Sequence, residues 1–246
     1  MVNLVRAVRN ARYKVMVAID DPLFNLSFLS ELATALKDDI VGFKVGLPYI
    51  TYYGARQLKR IIKESSPVYY LADLKLADVA DTMISAVKVV KNAGFHGLVA
   101  HAVVGIAGAL DALVREVRNT NLDLVLQATI ANPGCISTID RLLPEIYNVV
   151  NAVDPAGLIV PANKAHIIRE IRERFGWRYV ILSSDIMVYN VLPGDGLCAG
   201  ADAEIIGKSL LAAPNPAQAL KDIAATQEET LRKGGKSCLS RPQYGR

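Results

Sequence analysis

Val68-Tyr69-Tyr70-Leu71-Ala72-Asp73-Leu74-Lys75-Leu76-Ala77-Asp78-Val79-Ala80-Asp81-Thr82 passes from an apolar run through alternating charge into residues with helical spacing. Removing a charged side chain from water costs several kcal/mol even after relaxation. Charges that close a buried strand are therefore kept only if they are paired or useful. Side chains of a strand alternate with period two, so Asp73 and Lys75 emerge on the same side of the backbone and can touch. If Asp78 opens the following helix, it shares a helical face with Thr82, four residues on. Asp78 as a simple helix cap is the alternative.

Working outward, the same change from strand to helix recurs along the whole chain without a composition break. Apolar runs at 15–20, 40–44, 68–73, 97–101, 122–129, 157–160, 179–183 and 203–206 read as strands. Amphipathic segments at 26–36, 53–62, 82–93, 107–118, 165–175 and 217–231 read as helices outside a parallel sheet. The predicted fold class is α/β, and eight strands favour a single-domain (β/α)8 TIM barrel over an open doubly wound sheet. Barrels of this kind commonly run to about 250 residues, and this chain has 246. A dinucleotide-binding sheet would carry Gly-x-Gly-x-x-Gly after its first strand, where this chain has Asp20-Asp21-Pro22. The barrel is expected over residues 1–232. Residues 233–246, rich in Gly, Ser, Lys and Arg with no apolar face, are expected to form a mobile tail.

A net charge of +4 without an arginine-rich block argues against nucleic acid and suits a small anionic ligand. No apolar run approaches the roughly 20 residues that cross a bilayer, and Arg6, Arg9, Arg12 and Lys14 interrupt any signal-peptide core. No membrane association and a cytoplasmic location are expected. Cys135, Cys198 and Cys238 are odd in number and far apart, so they are expected to be buried or idle thiols. His96, His101 and His166 fall in no metal-ligand spacing, and no metal is assigned.

Polar residues stand where the predicted strands stop: Asp20, Lys44, Asp73 with Lys75, and His101. In a barrel these ends converge on one pocket at the carboxyl face. Lys44, Asp73, Lys75 and Asp78 would make a formally neutral array able to stay ionised out of water and to move a proton. Near the other end, Gly207-Lys208-Ser209 follows the last strand and opens a helix, a setting suited to phosphate. A nucleoside-triphosphate loop is disfavoured, since the upstream glycine it needs is Asp202 here.

With these residues laid out, the chain resembles the orotidine 5′-phosphate decarboxylase family in its compact microbial and archaeal form. The resemblance rests on Asp73-Leu74-Lys75-Leu76-Ala77-Asp78 with trailing Thr82, on Asp20, on Phe43-Lys44-Val45-Gly46, on the run from Val99 to Gly105, and on Gly207-Lys208-Ser209 with Asn215-Pro216. It implies cofactor-free decarboxylation of orotidine 5′-monophosphate to uridine 5′-monophosphate in pyrimidine biosynthesis. Asp73 would press on the substrate carboxylate, Lys75 would stabilise and protonate the ring carbon, and Lys44 and Asp78 would hold the array. Asp20 and Lys44 would bind ribose, and Gly207 and Lys208 the phosphate. The resemblance also implies a homodimer in which Asp78 and Thr82 complete the partner's site.

Three departures stand out. Lys208 replaces the family's usual Arg, Ala131 replaces a serine that contacts the pyrimidine, and Ser184-Asp185-Ile186-Met187 replaces the usual residues after strand seven. Asn132, Gln127 or Tyr189 are the candidates to substitute in base recognition. The segment 184–197, with Pro193-Gly194-Asp195-Gly196, is expected to be a mobile loop closing on the remote phosphate. Related sugar-phosphate enzymes such as hexulose-6-phosphate synthase share D-x-K-x-x-D but usually carry glutamate at the place of Lys44 and bind magnesium. Such an enzyme and a catalytically silent nucleotide-binding paralogue are the alternatives.

Overall fold

A computed structural model describes residues 2–239. Eight parallel strands close into one barrel in chain order: β1 (Val15–Ile19), β2 (Gly42–Gly46), β3 (Tyr70–Leu76), β4 (Gly97–His101), β5 (Asp123–Gln127), β6 (Gly157–Pro161), β7 (Val180–Ser184) and β8 (Ala203–Ile206). Period-two alternation divides the strand residues between two cores. Met16, Ala18, Leu71, Val99, Val125, Ile159, Leu182 and Ile205 fill the barrel interior. Val15, Val17, Ile19, Val45, Ala72, Leu98 and Ile181 face outward against helices.

The outer layer contains α1 (Leu4–Asn10), α2 (Leu26–Leu36), α3 (Leu47–Glu64), α4 (Ala80–Asn92), α5 (Asp111–Thr120), α6 (Leu143–Val153), α7 (Ala165–Phe175), α8 (Asp195–Ala199), α9 (Lys208–Leu211) and α10 (Pro216–Gly234). Helix α3 begins six residues earlier than its periodicity suggests because Gly54 (φ 76°, ψ 153°) breaks it into two pieces. Helix α1 was hidden by its interspersed arginines. Its Leu4 and Val8 nevertheless join the interior cluster and plug the amino-terminal mouth. The Leu4 amide donates to Asp123 Oδ2 at 2.6 Å, and Lys14 Nζ satisfies the Val8 and Ala11 carbonyls at the other end of the helix.

The cysteine expectation is corrected. Cys198 and Cys238 form a disulfide, while Cys135 is a buried free thiol. The barrel brings together two residues 40 apart in sequence, a proximity that spacing alone does not reveal. Residues 233–239, the described part of the expected tail, are tied to the barrel. Lys233 and Gly234 end α10, the disulfide ties Cys238 to α8, and the Leu239 amide donates to the Cys198 carbonyl at 2.9 Å. Residues 240–246 of that tail lie outside the described residues.

Candidate active site

At the carboxyl ends of the strands a cavity of about 610 Å³ is lined by Asp20, Lys44, Asp73, Lys75, Gln127 and Lys208, among others. Lys44 rises from the middle of β2 and donates to Asp20 Oδ1 at 3.0 Å and to Asp73 Oδ2 at 2.8 Å. Lys75 donates to the same Asp73 oxygen at 2.7 Å. Asp73 Oδ1 is buried and takes no hydrogen bond.

Local backbone chemistry sets this arrangement. Strand β3 slips register against β4 between Ala72 and Leu76, and Lys75 takes a left-handed φ of 45°. Alternation alone would project Lys75 beside Asp73; the irregularity also leaves its ammonium half-exposed in the cavity, while Asp73 stays buried. At the end of β2 a Cβ on Gly46 would lie 1.7 Å from Asp20 Oδ1 and would displace the carboxylate that Lys44 holds.

The electrostatics agree with the contacts. Burial alone would raise the pKa of Asp73, but Lys44 and Lys75 outweigh it and hold the carboxyl below its usual range. Burial likewise works to lower that of Lys44, and the carboxylates of Asp73 and Asp20 reverse the sign and raise it. Two ammonium groups and two carboxylates make a formally neutral set in which each charge is stabilised by its neighbours. His101, buried at the end of β4 with neither ring nitrogen hydrogen-bonded, is pushed down by burial and by the Lys75 charge and is therefore neutral at pH 7.

On the far side of the cavity Gly207, Lys208 and Ser209 line the wall where β8 gives way to α9. First-turn amides of a helix lack intrahelical acceptors and suit an anion. Ser184, Asp185, Ile186, Met187 and Val188, from the segment after β7, line the same cavity. Residues 195–197 of the expected loop are helical in α8, so the irregular part is 185–194.

Three expected residues are placed elsewhere. Asp78 and Thr82 are exposed and do not line the cavity. Asp78 is not in α4 and does not cap it, because the N-cap is Val79, whose own amide donates to Asp78 Oδ1. Within one chain Asp20, rather than Asp78, completes the neutral set of four. Asn132 is not among the residues lining the cavity: it caps the turn Pro133–Ser137, is exposed, and accepts from the Cys135 thiol. Gln127 lines the cavity, at an interior strand position that alternation identifies. Among the described residues no three His, Cys, Asp or Glu side chains gather to hold a metal.

Comparison with known proteins places the chain in a family. The profile of the orotidine 5′-phosphate decarboxylase / HUMPS family matches residues 13–223. The chain belongs to this family. The orotidine 5′-phosphate decarboxylase of Aeropyrum pernix is 32% identical over 223 residues, 89% of this chain and 90% of its own. That of Sulfurisphaera tokodaii is 32% identical, over 87% of this chain and 95% of its own. Among solved structures, the decarboxylase of Metallosphaera sedula superposes with a TM-score of 0.78 at 30% identity, covering 89% of this chain and all of the other. As a member of the orotidine 5′-phosphate decarboxylase / HUMPS family, the chain is matched by the family profile from just before β1 to within α10, so that α1 and Cys238 lie outside the matched residues.

Proposed function

We propose that this protein is a carboxy-lyase of pyrimidine biosynthesis that converts orotidine 5′-monophosphate to uridine 5′-monophosphate and carbon dioxide. The observation that carries the reading is the grip on Asp73, whose one oxygen takes both ammonium groups while the other is buried and unbonded. A substrate carboxylate set beside this ionised side chain is repelled, and the repulsion is relieved as carbon dioxide leaves. The carbon–carbon bond breaks, its electron pair stays on the ring carbon, and Lys75 supplies the proton that ends there. General-acid help of this kind is worth about 10²–10⁴-fold, so the remaining acceleration comes from binding and from fixed charge. Lys44 keeps Asp73 ionised, Asp20 and Lys44 bind ribose hydroxyls, and Gly207 and Lys208 bind phosphate.

The barrel, residues 1–232, is the catalytic domain. The active form is a homodimer in which Asp78 and Thr82, exposed in the single chain, enter the partner's cavity. Mixing Lys75→Ala with Asp78→Asn protomers tests this, since shared sites regain activity in mixed dimers. Membership of a metabolic family supports a cytoplasmic location, in a cell that leaves the disulfide oxidised, as some heat-adapted organisms do. Among the described residues no helix is long and apolar enough to cross a membrane.

The deciding experiment follows conversion of orotidine 5′-monophosphate in the presence of a chelator by the unmodified protein and by Lys75→Ala. Turnover by the first and its loss in the second supports the charged array. No turnover by correctly folded unmodified protein overturns the reading.

A further inference from the structure

Behind the strand that leads into the phosphate segment lies a carboxylate that the charged array does not use. Glu204 sits on β8 between Ala203 and Ile205, which face the barrel interior. Its side chain therefore turns outward beneath the helix layer, where it is fully buried. The groups that hold it are uncharged donors: the Gly194 amide at 3.0 Å from Oε1 and 2.9 Å from Oε2, the Gly196 amide at 3.0 Å and Gln227 Nε2 at 2.9 Å, with the Leu197 amide beside them. Burial pushes the Glu204 carboxyl up and these donors pull it back.

The donors mark a boundary. Gly194 is the N-cap of α8, at a left-handed φ of 98°, and a Cβ there would come within 2.6 Å of the Thr230 Cβ. Immediately before it, the Pro193 carbonyl accepts from Thr230 Oγ1 at 2.8 Å. Upstream the chain is of opposite character. Met187, Val188 and Tyr189 are exposed, and Asp185, Met187, Tyr189 and Asn190 all hold left-handed φ values. Side chains disfavour that backbone region, so the tip is strained. Hydrogen bonds such as Met187 to Val191 keep this tip folded on itself. A strained tip that lines the cavity next to Lys208 thus ends on a fully buried, fully bonded post.

We propose that Glu204 is a positioning residue: its buried carboxylate fixes the hinge at Gly194, so that the 185–193 loop closes on a phosphate-bearing substrate in one geometry. The assignment rests on the proposed decarboxylase reading and adds to it a residue far from the reacting atoms. Removing the acceptors frees the hinge and misdirects closure while leaving Asp73, Lys75 and Lys44 untouched.

The test compares two substrates, orotidine 5′-monophosphate and the nucleoside orotidine, which lacks the phosphate. Glu204→Met removes both acceptor oxygens; Glu204→Gln keeps one for the Gly194 and Gly196 amides. Glu204→Met is expected to lower kcat/KM at least tenfold for the nucleotide, with the slow nucleoside reaction unchanged, and Glu204→Gln to recover to within threefold of the unmodified protein. An equal loss on both substrates, or no loss on either, overturns the proposal. If Glu204→Met does not fold, Thr230→Val decides: about a threefold fall confined to the nucleotide supports the hinge, and any other pattern overturns it. Unmodified protein that turns over neither substrate would remove the decarboxylase reading as well, which a failure confined to the variants would not.

Discussion

Lys44 Nζ lies 2.8 Å from Asp73 Oδ2, and both side chains are almost completely buried between β2 and β3. Removing one partner of such a pair leaves an uncompensated buried charge, which typically costs about 3–5 kcal/mol. Asp73→Asn is therefore expected to lower the urea unfolding free energy by about 3 kcal/mol, because among the described residues Lys44 keeps only the half-exposed Asp20 and Lys75 loses its carboxylate partner.

The pair's pH dependence has a definite sign. The pKa of Asp73 is lowered on folding, so its contribution is present above the ordinary carboxylate value and is lost as pH falls through the lower folded one. The pKa of Lys44 is raised, so its contribution is present below the ordinary amine value and lost as pH rises through the higher folded one. Urea midpoints should therefore show a plateau in the difference between unmodified protein and the Lys44→Met, Asp73→Asn double variant from about pH 4 to about pH 10. A difference that changes steadily across that window would mean that the two groups are not held charged together.

Lys208 offers phosphate a single point charge where an arginine fork offers two parallel bonds. Hydrogen bonds to charged groups are worth about 1.5–3 kcal/mol, so Lys208→Ala should raise KM for the nucleotide about 10–100-fold. Lys208→Arg should match or lower the KM of the unmodified protein. Steady-state kinetics on the three proteins check this, and an Ala variant with unchanged KM would remove Lys208 from the phosphate site.

Much of this was legible in sequence, for identifiable reasons. Strands β4 and β8 and helices α2 and α7 fall on the residues expected of them, since apolar alternation and helical periodicity are strong there. Asp20, Lys44, Asp73 and Lys75 meet because a barrel gathers strand ends, whatever their separation along the chain. What depends on closure was not legible. The contact of Cys198 with Cys238, the plug formed by α1 and the burial of Glu204 beneath α8 are all made by residues that only the closed barrel makes neighbours. The register slip at Lys75 is a backbone event that its side-chain type does not announce.

His96 Nδ1 accepts the Tyr70 amide at 3.0 Å beside β3. Burial, with a smaller contribution from Lys91, lowers its pKa to about 4. Its unfolded value is about 6.5, so the unfolded chain binds more protons between these two values and stability falls as pH drops through that window. The full loss amounts to about 3 kcal/mol. The His96 ring resonance, followed by NMR as pH is lowered, should titrate near 4; a midpoint near 6.5 would show the ring to be solvated.

The Cys198–Cys238 bond links α8 to the chain just beyond α10, across a separation of 40 residues. In the chain-entropy account, a cross-link closing a loop of this size stabilises by roughly 2–4 kcal/mol. For a chain of this length each kcal/mol shifts Tm by about 2–4 °C, so Cys238→Ser should lower Tm by roughly 5–15 °C. Its effect on activity at moderate temperature should be small, because Glu204, Gln227 and Thr230 still hold the amino-terminal end of α8 through hydrogen bonds. Thiol titration in denaturant gives an independent check: one reactive thiol, Cys135, before reduction and three after it. Three thiols without reductant would mean that the two cysteines stand together unbonded, and Cys238→Ser would then leave Tm close to that of the unmodified protein.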